Sequence, residues 1–121
     1  MFEVTEVSIA ELRAALEAGR TTAVELVEAY LARIDAYDGA DTTTQLNAVV
    51  VRNPDALKEA EASDARRARG EPLSPLDGIP YTAKDSYLVK GLTAASGSPA
   101  FKDLVAQRDA FTVERLRAAG A

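Results

Sequence analysis

Two stripes of apolar residues at helical spacing lie in the first third of the chain. Each follows a capping box, Ser8 with Glu11 and then Thr22 with Glu25, and such a box predicts where a helix begins. The first stripe comprises Ile9, Leu12 and Leu16, and the second comprises Leu26, Val27, Tyr30, Leu31 and Ile34. The pattern therefore predicts a pair of helices with a short connection, the second of them strongly amphipathic.

The middle of the chain combines short β-prone runs with one charged helix. Residues 46–51 (LNAVVV) and 79–83 (IPYTA) are short, and the first is rich in β-branched side chains, so both predict strands. Between them, Asn53 as the N-cap and Pro54 at the first helical position predict a helix that stops at Gly70. Alanine and charged residues dominate this helix, which predicts a surface location.

The last third of the chain adds one more predicted helix. Residues 86–94 (SYLVKGLTA) fit a strand or one arm of a hairpin. Asp109 predicts the start of the final helix, with Val113 on its apolar face and Gly120 at its end. A helix pair followed by strand–helix–strand–helix indicates an α/β fold. Because so few short strands make a thin sheet for these helices to cover, we expect residues 1–121 to form part of one larger domain.

Charge and hydropathy exclude some classes of partner. The 121 residues carry a net charge of −5, from 14 basic and 19 acidic side chains, which disfavours direct nucleic-acid binding. Arg66, Arg67 and Arg69 lie among acidic residues, so we expect a solvated helix face rather than a phosphate site. No apolar run approaches the ~20 residues of a membrane span. The acidic N-terminus lacks the layout of a signal peptide, so the expected location is cytoplasmic.

The chain contains no histidine and no cysteine, which restricts the chemistry it can perform. The common metal ligands and the thiolate nucleophile are both missing, and a Ser-His-Asp triad cannot form within these residues. We therefore expect no metal and no cofactor. Proton transfer by these residues would have to use lysine, aspartate, glutamate or tyrosine.

Lys84 is the strongest candidate for a catalytic residue in the sequence. It directly follows the predicted strand 79–83, and small or hydroxylated residues such as Ser86, Ser96 and Ser98 come after it. A lysine at the end of a strand is usually solvated, with its stem lying over apolar neighbours. A lysine that is removed from water instead favours its neutral amine, and it can then act as a base towards a serine hydroxyl. Spacing alone does not decide between these two interpretations.

The residues around Lys84 resemble the signature of a known family. PLDGIPYTAKD (75–85) and VKGLTAASGS (89–98) are similar to the P-L-x-G-I-P-x-x-x-K-D and V-x-G-L-x-T-x-x-G-S segments of the amidase signature family. Three further segments resemble this family in the same order, so that the likeness covers essentially the whole chain; they are residues 8–35, 46–57 and 109–121. Ser86 stands where many members have asparagine, and Ala94–Ala95 replace a threonine-containing pair, which leaves the substrate class open.

The resemblance implies a fold, a reaction and a role for Lys84. Members of this family fold as a large α/β domain with a mixed sheet between helices, and they hydrolyse amide bonds with a Ser–cis-Ser–Lys triad. Lys84 would be the triad lysine, acting as general base through the bridging serine. Both serines would lie in a later Gly/Ser-rich stretch that residues 1–121 do not contain. By this interpretation, residues 1–121 are the N-terminal portion of one amidase signature domain, and they would be inactive and prone to self-association on their own.

Other residues near Lys84 have two interpretations each. Asp85 would either orient Lys84 or make a structural hydrogen bond at the end of the strand. Ser98 would line the pocket by resemblance, or it would be a loop hydroxyl bonded to backbone. Asp77 with Gly78 is most simply turn chemistry. Tyr81 and Tyr87 would flank the site, since alternate strand residues share a face, or they would take part in ordinary packing.

Several functions remain open from the sequence. The first is hydrolysis of a small-molecule amide whose identity the sequence does not define. Within the same family, the alternative is the ammonia-releasing component of a glutamyl-tRNA amidotransferase, which liberates ammonia from glutamine and delivers it to a partner protein. Another class is a non-enzymatic interaction module that binds through its amphipathic helices. A self-contained Ser–Lys hydrolase using Ser96 or Ser98 lacks an oxyanion-hole motif.

Overall fold

The computed structural model describes residues 2–121, in which the regular structure is helical. The α-helices are α1 (Ile9–Glu17), α2 (Ala23–Tyr37), α3 (Ala56–Ala68) and α4 (Phe111–Ala118), with a 3-10 turn at Pro99–Phe101. None of the helices among these residues is both long enough and apolar enough to traverse a lipid bilayer.

The helix pair is confirmed, together with both capping boxes. At the start of α1, the Glu11 amide donates to Ser8 Oγ at 3.3 Å, and the Ser8 amide donates to the Glu11 carboxylate at 2.8 Å. Thr22 and Glu25 make the corresponding pair of bonds, both at 3.1 Å, at the start of α2. These bonds satisfy amides that a helix leaves without partners in its first turn, so the sequence pattern locates both starts.

The other two helices begin differently from the prediction. Asn53 Oδ1 accepts a hydrogen bond from the Asp55 amide at 3.0 Å, which closes a turn before α3 starts at Ala56. Asp109 does not cap α4, because its Oδ1 atom accepts from the backbone amide of Lys90 at 2.7 Å. The predicted N-caps Asn53 and Asp109 are therefore wrong, since each side chain bonds elsewhere.

The apolar core lies between α1, α2 and the segment that leads to Lys84. Its buried members are Val4, Leu12, Leu16, Leu26, Ala29 and Ile79. From the predicted stripe of α2, Leu26 is fully buried, whereas Val27, Leu31 and Ile34 are half-buried. Residues 79–84 are called the Lys84 segment below. Ile79, its first residue, packs in the core of the helix pair.

Helix α3 packs against α2 through small and polar residues. Ala60 and Ser63 are buried on its inner face. The Asp64 carboxylate accepts hydrogen bonds from the amides of Ala23 at 2.7 Å and Val24 at 3.1 Å, at the first turn of α2. A side chain of one helix therefore satisfies the free amides of the other, and this compensates for the lack of an apolar stripe on α3.

The strands predicted at 46–51 and 79–83 are wrong for the described residues. Pairing with a neighbouring backbone defines a strand, and neither segment pairs with another extended segment there. The amides of Ala48 and Val49 donate instead to the carboxylate of Asp38, at 2.6 and 3.0 Å. The mixed sheet is accordingly not present within residues 2–121, where the one isolated β-bridge is antiparallel and joins Thr93 to Val105.

The hairpin alternative for residues 86–94 agrees best with the structure. Amides of residues 91, 94 and 106 donate to carbonyls of residues 106, 104 and 92, each at 2.9 Å. These bonds form a short antiparallel ribbon that carries the chain from the Lys84 region towards α4.

Candidate active site

An extended segment carries Lys84 from the core to the surface. Ile79 is buried and Tyr81 half-buried, whereas residues 82–84 are exposed, so the segment leaves the core and reaches solvent within a few residues. After Lys84 the chain turns, and the Tyr87 amide donates to the Lys84 carbonyl at 2.8 Å. The Lys84 side chain makes no hydrogen bond or ion pair within residues 2–121, so the backbone alone sets its position there.

Asp85 joins the turn at Lys84 to the loop that contains Ser98. Its Oδ1 atom accepts a hydrogen bond from the Ala95 amide at 3.4 Å. Asp85 forms no ion pair with Lys84 in the described part of the chain. The contact that it makes is of the structural kind, between two loops.

Ser96 and Ser98 lie in this loop without a bond to Lys84. Ser98 is half-buried, its amide donates to the Ala95 carbonyl at 2.9 Å, and its hydroxyl has no hydrogen-bond partner among residues 2–121. Ser96 is exposed, with a positive φ of 50°. No Ser–Lys hydrogen bond therefore joins these hydroxyls to Lys84 in the structure.

Asp77 is the best-connected side chain near this segment, and sequence reasoning missed it. Its side chain is fully buried, at 0% exposure. Oδ1 accepts from Ser63 Oγ and from Arg66 Nη2, both at 2.7 Å. Oδ2 accepts from Arg66 Nε at 2.9 Å and from the Leu73 amide at 2.8 Å. The only local signal was the Asp–Gly pair, which indicates a turn and says nothing about burial.

These bonds keep Asp77 ionised. Burial alone would raise the pKa of Asp77, but the hydrogen bonds from Arg66, Leu73 and Ser63 outweigh burial and hold it below its ordinary value. The same hydrogen bond to Asp77 raises the pKa of Arg66. The pair is therefore a charged, bidentate ion pair. The predicted solvated arginine face is wrong for Arg66 and Arg67, because both bind Asp77, whereas Arg69 is exposed and pairs with Glu71.

The backbone next to Asp77 is attached to the end of α4. Arg67 Nη2 donates to the Asp77 carbonyl at 2.6 Å, and the Gly78 amide donates to the Gly120 carbonyl at 2.9 Å. Gly120 has a φ of +90°, and a Cβ atom there would lie 2.6 Å from Asp77 Cγ. Only glycine satisfies both conditions, so the end of α4 and the Asp77 carboxylate fit together closely.

A second charged cluster links α3, α4 and the Lys84 segment. Arg117 Nη1 donates to Glu59 Oε1 at 2.9 Å, and Arg117 Nε lies 3.3 Å from Asp109 Oδ2. Burial alone would lower the pKa of Arg117, but the hydrogen bond to Glu59 and the nearby charges of Glu59 and Asp109 together raise it. Tyr81 lies within reach of these charges, and burial raises its pKa. Tyr81 is half-buried at this cluster.

Two surface depressions of the described residues have no lining residue from 79–84. One open depression of about 530 Å³ is lined by residues of the ribbon and α4, among them Leu88, Arg108 and Phe111. Another is lined by Asn53, Glu59 and Arg117 together with their neighbours. Within residues 2–121, no three acidic side chains group closely enough to bind a metal ion. The described residues thus present a lysine on a fixed backbone rather than an enclosed site.

Comparison with known proteins identifies the family. The family model described as Amidase matches residues 25–121. A glutamyl-tRNA(Gln) amidotransferase subunit from Thioalkalivibrio sulfidiphilus is 44% identical over 116 residues, which cover 95% of this chain and 23% of that protein. The corresponding amidotransferase subunit from Thermobifida fusca is 42% identical over 99% of this chain and 23% of the relative.

Solved structures agree with the sequence relatives. The native peptide amidase of Stenotrophomonas maltophilia superposes with a TM-score of 0.92 at 40% identity, over 100% of this chain and 24% of that one. An amidase family protein from Bacillus anthracis superposes with a TM-score of 0.88 at 33% identity, over 98% and 23% of the two chains. The chain thus spans about a quarter of the length of the proteins it matches.

The match over residues 25–121 includes both segments that carry the sequence resemblance, 75–85 and 89–98. The resemblance stated from the sequence is confirmed, and the chain belongs to the amidase signature family.

Proposed function

We propose that Lys84 is the lysine of a Ser–cis-Ser–Lys triad in an enzyme that hydrolyses amide bonds. The observation that carries this proposal is the position of Lys84 in the PLDGIPYTAKD segment, inside the range that matches the amidase family. The superposition with peptide amidase structures at about 40% identity supports it. By this proposal residues 1–121 form the N-terminal part of one amidase signature domain, and the two serines come from sequence other than these residues.

Lys84 moves a proton in the proposed mechanism. Its neutral amine takes the proton of the bridging serine, which in turn takes the proton of the nucleophilic serine. The nucleophile attacks the amide carbonyl, and the bridging serine gives a proton to the leaving nitrogen while it regains one from Lys84. Water then attacks the acyl-enzyme, with the same groups accepting and returning its proton, and releases the acid and the nucleophilic serine. An exposed amine is mainly protonated near neutral pH, so this role requires that further protein encloses Lys84 and excludes water from it.

The second candidate function differs in the fate of the nitrogen. The relatives from Thioalkalivibrio and Thermobifida are named as glutamyl-tRNA(Gln) amidotransferase subunits, at 44% and 42% identity. In such an enzyme the same lysine would serve the release of ammonia from glutamine, and the ammonia would amidate a glutamyl-tRNA instead of leaving as product.

The test of the proposal replaces Lys84 in the full product of the gene that encodes this chain. Lys84→Ala and Lys84→Arg should each lower kcat for ammonia release by about 10²- to 10⁴-fold, because neither side chain can act as a base. Lys90→Ala is the matched control, since Lys90 is also an exposed lysine, in the ribbon that follows. Wild-type kcat in Lys84→Ala would refute the proposal.

The substrates used in this assay separate the two candidates. A C-terminally amidated peptide as the preferred source of ammonia supports a hydrolase. Glutamine as the preferred source, together with amidation of glutamyl-tRNA when partner proteins are added, supports the amidotransferase. Both outcomes depend on Lys84, so they distinguish the substrate and not the catalytic group.

A further inference from the structure

We propose that Asp77 is a positioning residue for Lys84, and that its buried carboxylate fixes the place from which the lysine reaches the reacting groups. The proposal rests on the proposed function, because it concerns the same lysine. Asp77 does not touch Lys84, and any influence it has on the reaction acts through the backbone between them.

The first step of the argument is that Lys84 depends on its backbone. Its side chain makes no hydrogen bond or ion pair with residues 2–121, so no polar contact within the described chain holds its amine in place. The segment from Ile79 to Lys84 also lacks strand partners there, so beyond the buried Ile79 and the half-buried Tyr81 it is held by the residues before and after it.

The upstream end of this segment is attached at Asp77. The carboxylate accepts four hydrogen bonds from Ser63, Arg66 and the Leu73 amide, at 2.7 to 2.9 Å. The Asp77 carbonyl accepts a fifth from Arg67. Two elements, α3 and the loop at residue 73, are therefore joined at one buried side chain immediately before the Lys84 segment begins.

Helix α4 contacts the chain on both sides of the Lys84 segment. At its C-terminal end, the Gly120 carbonyl accepts from the Gly78 amide at 2.9 Å, and the Ala119 carbonyl accepts from Ser74 Oγ at 2.6 Å. At its N-terminal end, the Ala110 amide donates to the Leu88 carbonyl at 2.8 Å. The helix thus spans from Gly78, just before the segment, to Leu88, four residues after Lys84. Asp77 packs against Gly120, so it fixes one of these two points.

Asparagine at position 77 would weaken this attachment without removing the side chain. It keeps the shape of aspartate, but it has one acceptor oxygen where the carboxylate has two, and it has no charge to pair with Arg66. At least one of the bonds from Arg66 and Leu73 is then lost. We expect the loop before Gly78 to relax and Lys84 to shift with it.

The experiment compares Asp77→Asn with Asp64→Asn in the full gene product. Asp64 is the matched control, because its carboxylate also accepts two hydrogen bonds on α3, but both come from α2 and none comes from residues 77–84. Asp77→Asn should lower kcat for ammonia release by about 10- to 100-fold with KM unchanged, as expected for a small displacement of a catalytic group. Asp64→Asn should leave kcat near the wild-type value even if it lowers the melting temperature.

A second variant covers the case in which Asp77→Asn does not fold. Ser63→Ala removes a single bond to the same carboxylate, and it should cause a smaller decrease in kcat, again with KM unchanged. Wild-type kcat in a folded Asp77→Asn or Ser63→Ala protein would overturn the positioning role, and so would an equal decrease in Asp64→Asn. If Lys84→Ala itself retains full activity, the proposed function fails instead, so the two failures are distinguishable.

Discussion

Asp77 carries a negative charge where water does not reach it. A buried carboxylate is costly unless hydrogen bonds and an opposite charge compensate it, and here Arg66 supplies the charge and two of the four bonds. A buried ion pair of this kind does not by itself show that the fold is more stable than it would be with two apolar side chains in the same place. Removing one partner, however, leaves the other without compensation. The consequence at the scale of a single residue is a dependence of local stability on pH.

We predict that acid removes the contribution of Asp77. Because hydrogen bonding holds the pKa of Asp77 below its ordinary value of 3.8, the carboxylate stabilises the folded state fully above pH 3.8. This contribution is lost as the pH falls through the lower folded-state pKa. Hydrogen exchange at the Leu73 amide, which donates to Asp77, measures the effect. Protection in the wild type should exceed that in Asp77→Asn at pH 7 and converge with it in acid; a constant difference across this range would contradict the prediction.

At the scale of an element, the starts of α1 and α2 differ in the partners that satisfy their first-turn amides. The start of α1 depends on its own Ser8–Glu11 box, which lies in solvent. The start of α2 has a box of its own and, in addition, two hydrogen bonds from its amides to Asp64 of α3. The cap of α1 is made by residues next to the helix itself, whereas the additional bonds to Asp64 join α2 to α3.

We therefore predict different costs for removing the two kinds of cap. Ser8→Ala should destabilise α1 by about 1 kcal/mol, the usual value for an exposed N-cap. Asp64→Ala should cost about 2–3 kcal/mol, because it removes a charged acceptor from two amides and weakens the contact between α2 and α3. Hydrogen exchange at the Ala23 and Val24 amides provides the measurement. Equal costs for the two variants would show that the contact with α3 contributes nothing beyond an ordinary cap.

The sequence predicts the starts of α1 and α2, which depend on local contacts, and not the starts of α3 and α4. The starts of α1 and α2 were predictable because a capping box is local, with partners three residues apart. The starts of α3 and α4 were not, since the side chains of Asn53 and Asp109 bond to other backbone amides, one of them in the ribbon. Alternating or β-branched residues at 46–51 and 79–83 predict extended chain, but pairing depends on neighbours that residues 2–121 do not supply.

The same distinction between local and distant contacts applies to the residues of the candidate site. Lys84 is a candidate from the sequence because the residues around it are contiguous and resemble a signature. At Asp77 the sequence indicates only a turn, since its partners Ser63 and Arg66 lie 14 and 11 residues away, outside any local motif. Burial of a charged side chain is a property of the folded contacts and not of the local pattern.

At the scale of the whole molecule, the described residues leave many large apolar side chains exposed. Phe111 is 75% exposed, and Leu46 is 63% exposed. Val50, Leu73 and Phe101 are each more than half exposed. The relatives are about four times as long as this chain, so sequence that could cover these residues exists in them.

The last prediction concerns residues 1–121 expressed alone. With Lys84 exposed and without the two serines of the proposed triad, this chain should release no ammonia from an amidated peptide or from glutamine above the rate of a Lys84→Ala control. Its exposed apolar residues should favour self-association, which analytical ultracentrifugation measures as a sedimentation coefficient that increases with concentration. Ammonia release that disappears on Lys84→Ala would show that the chain holds a complete site, and a monomer at all concentrations would show that its apolar surface needs no cover.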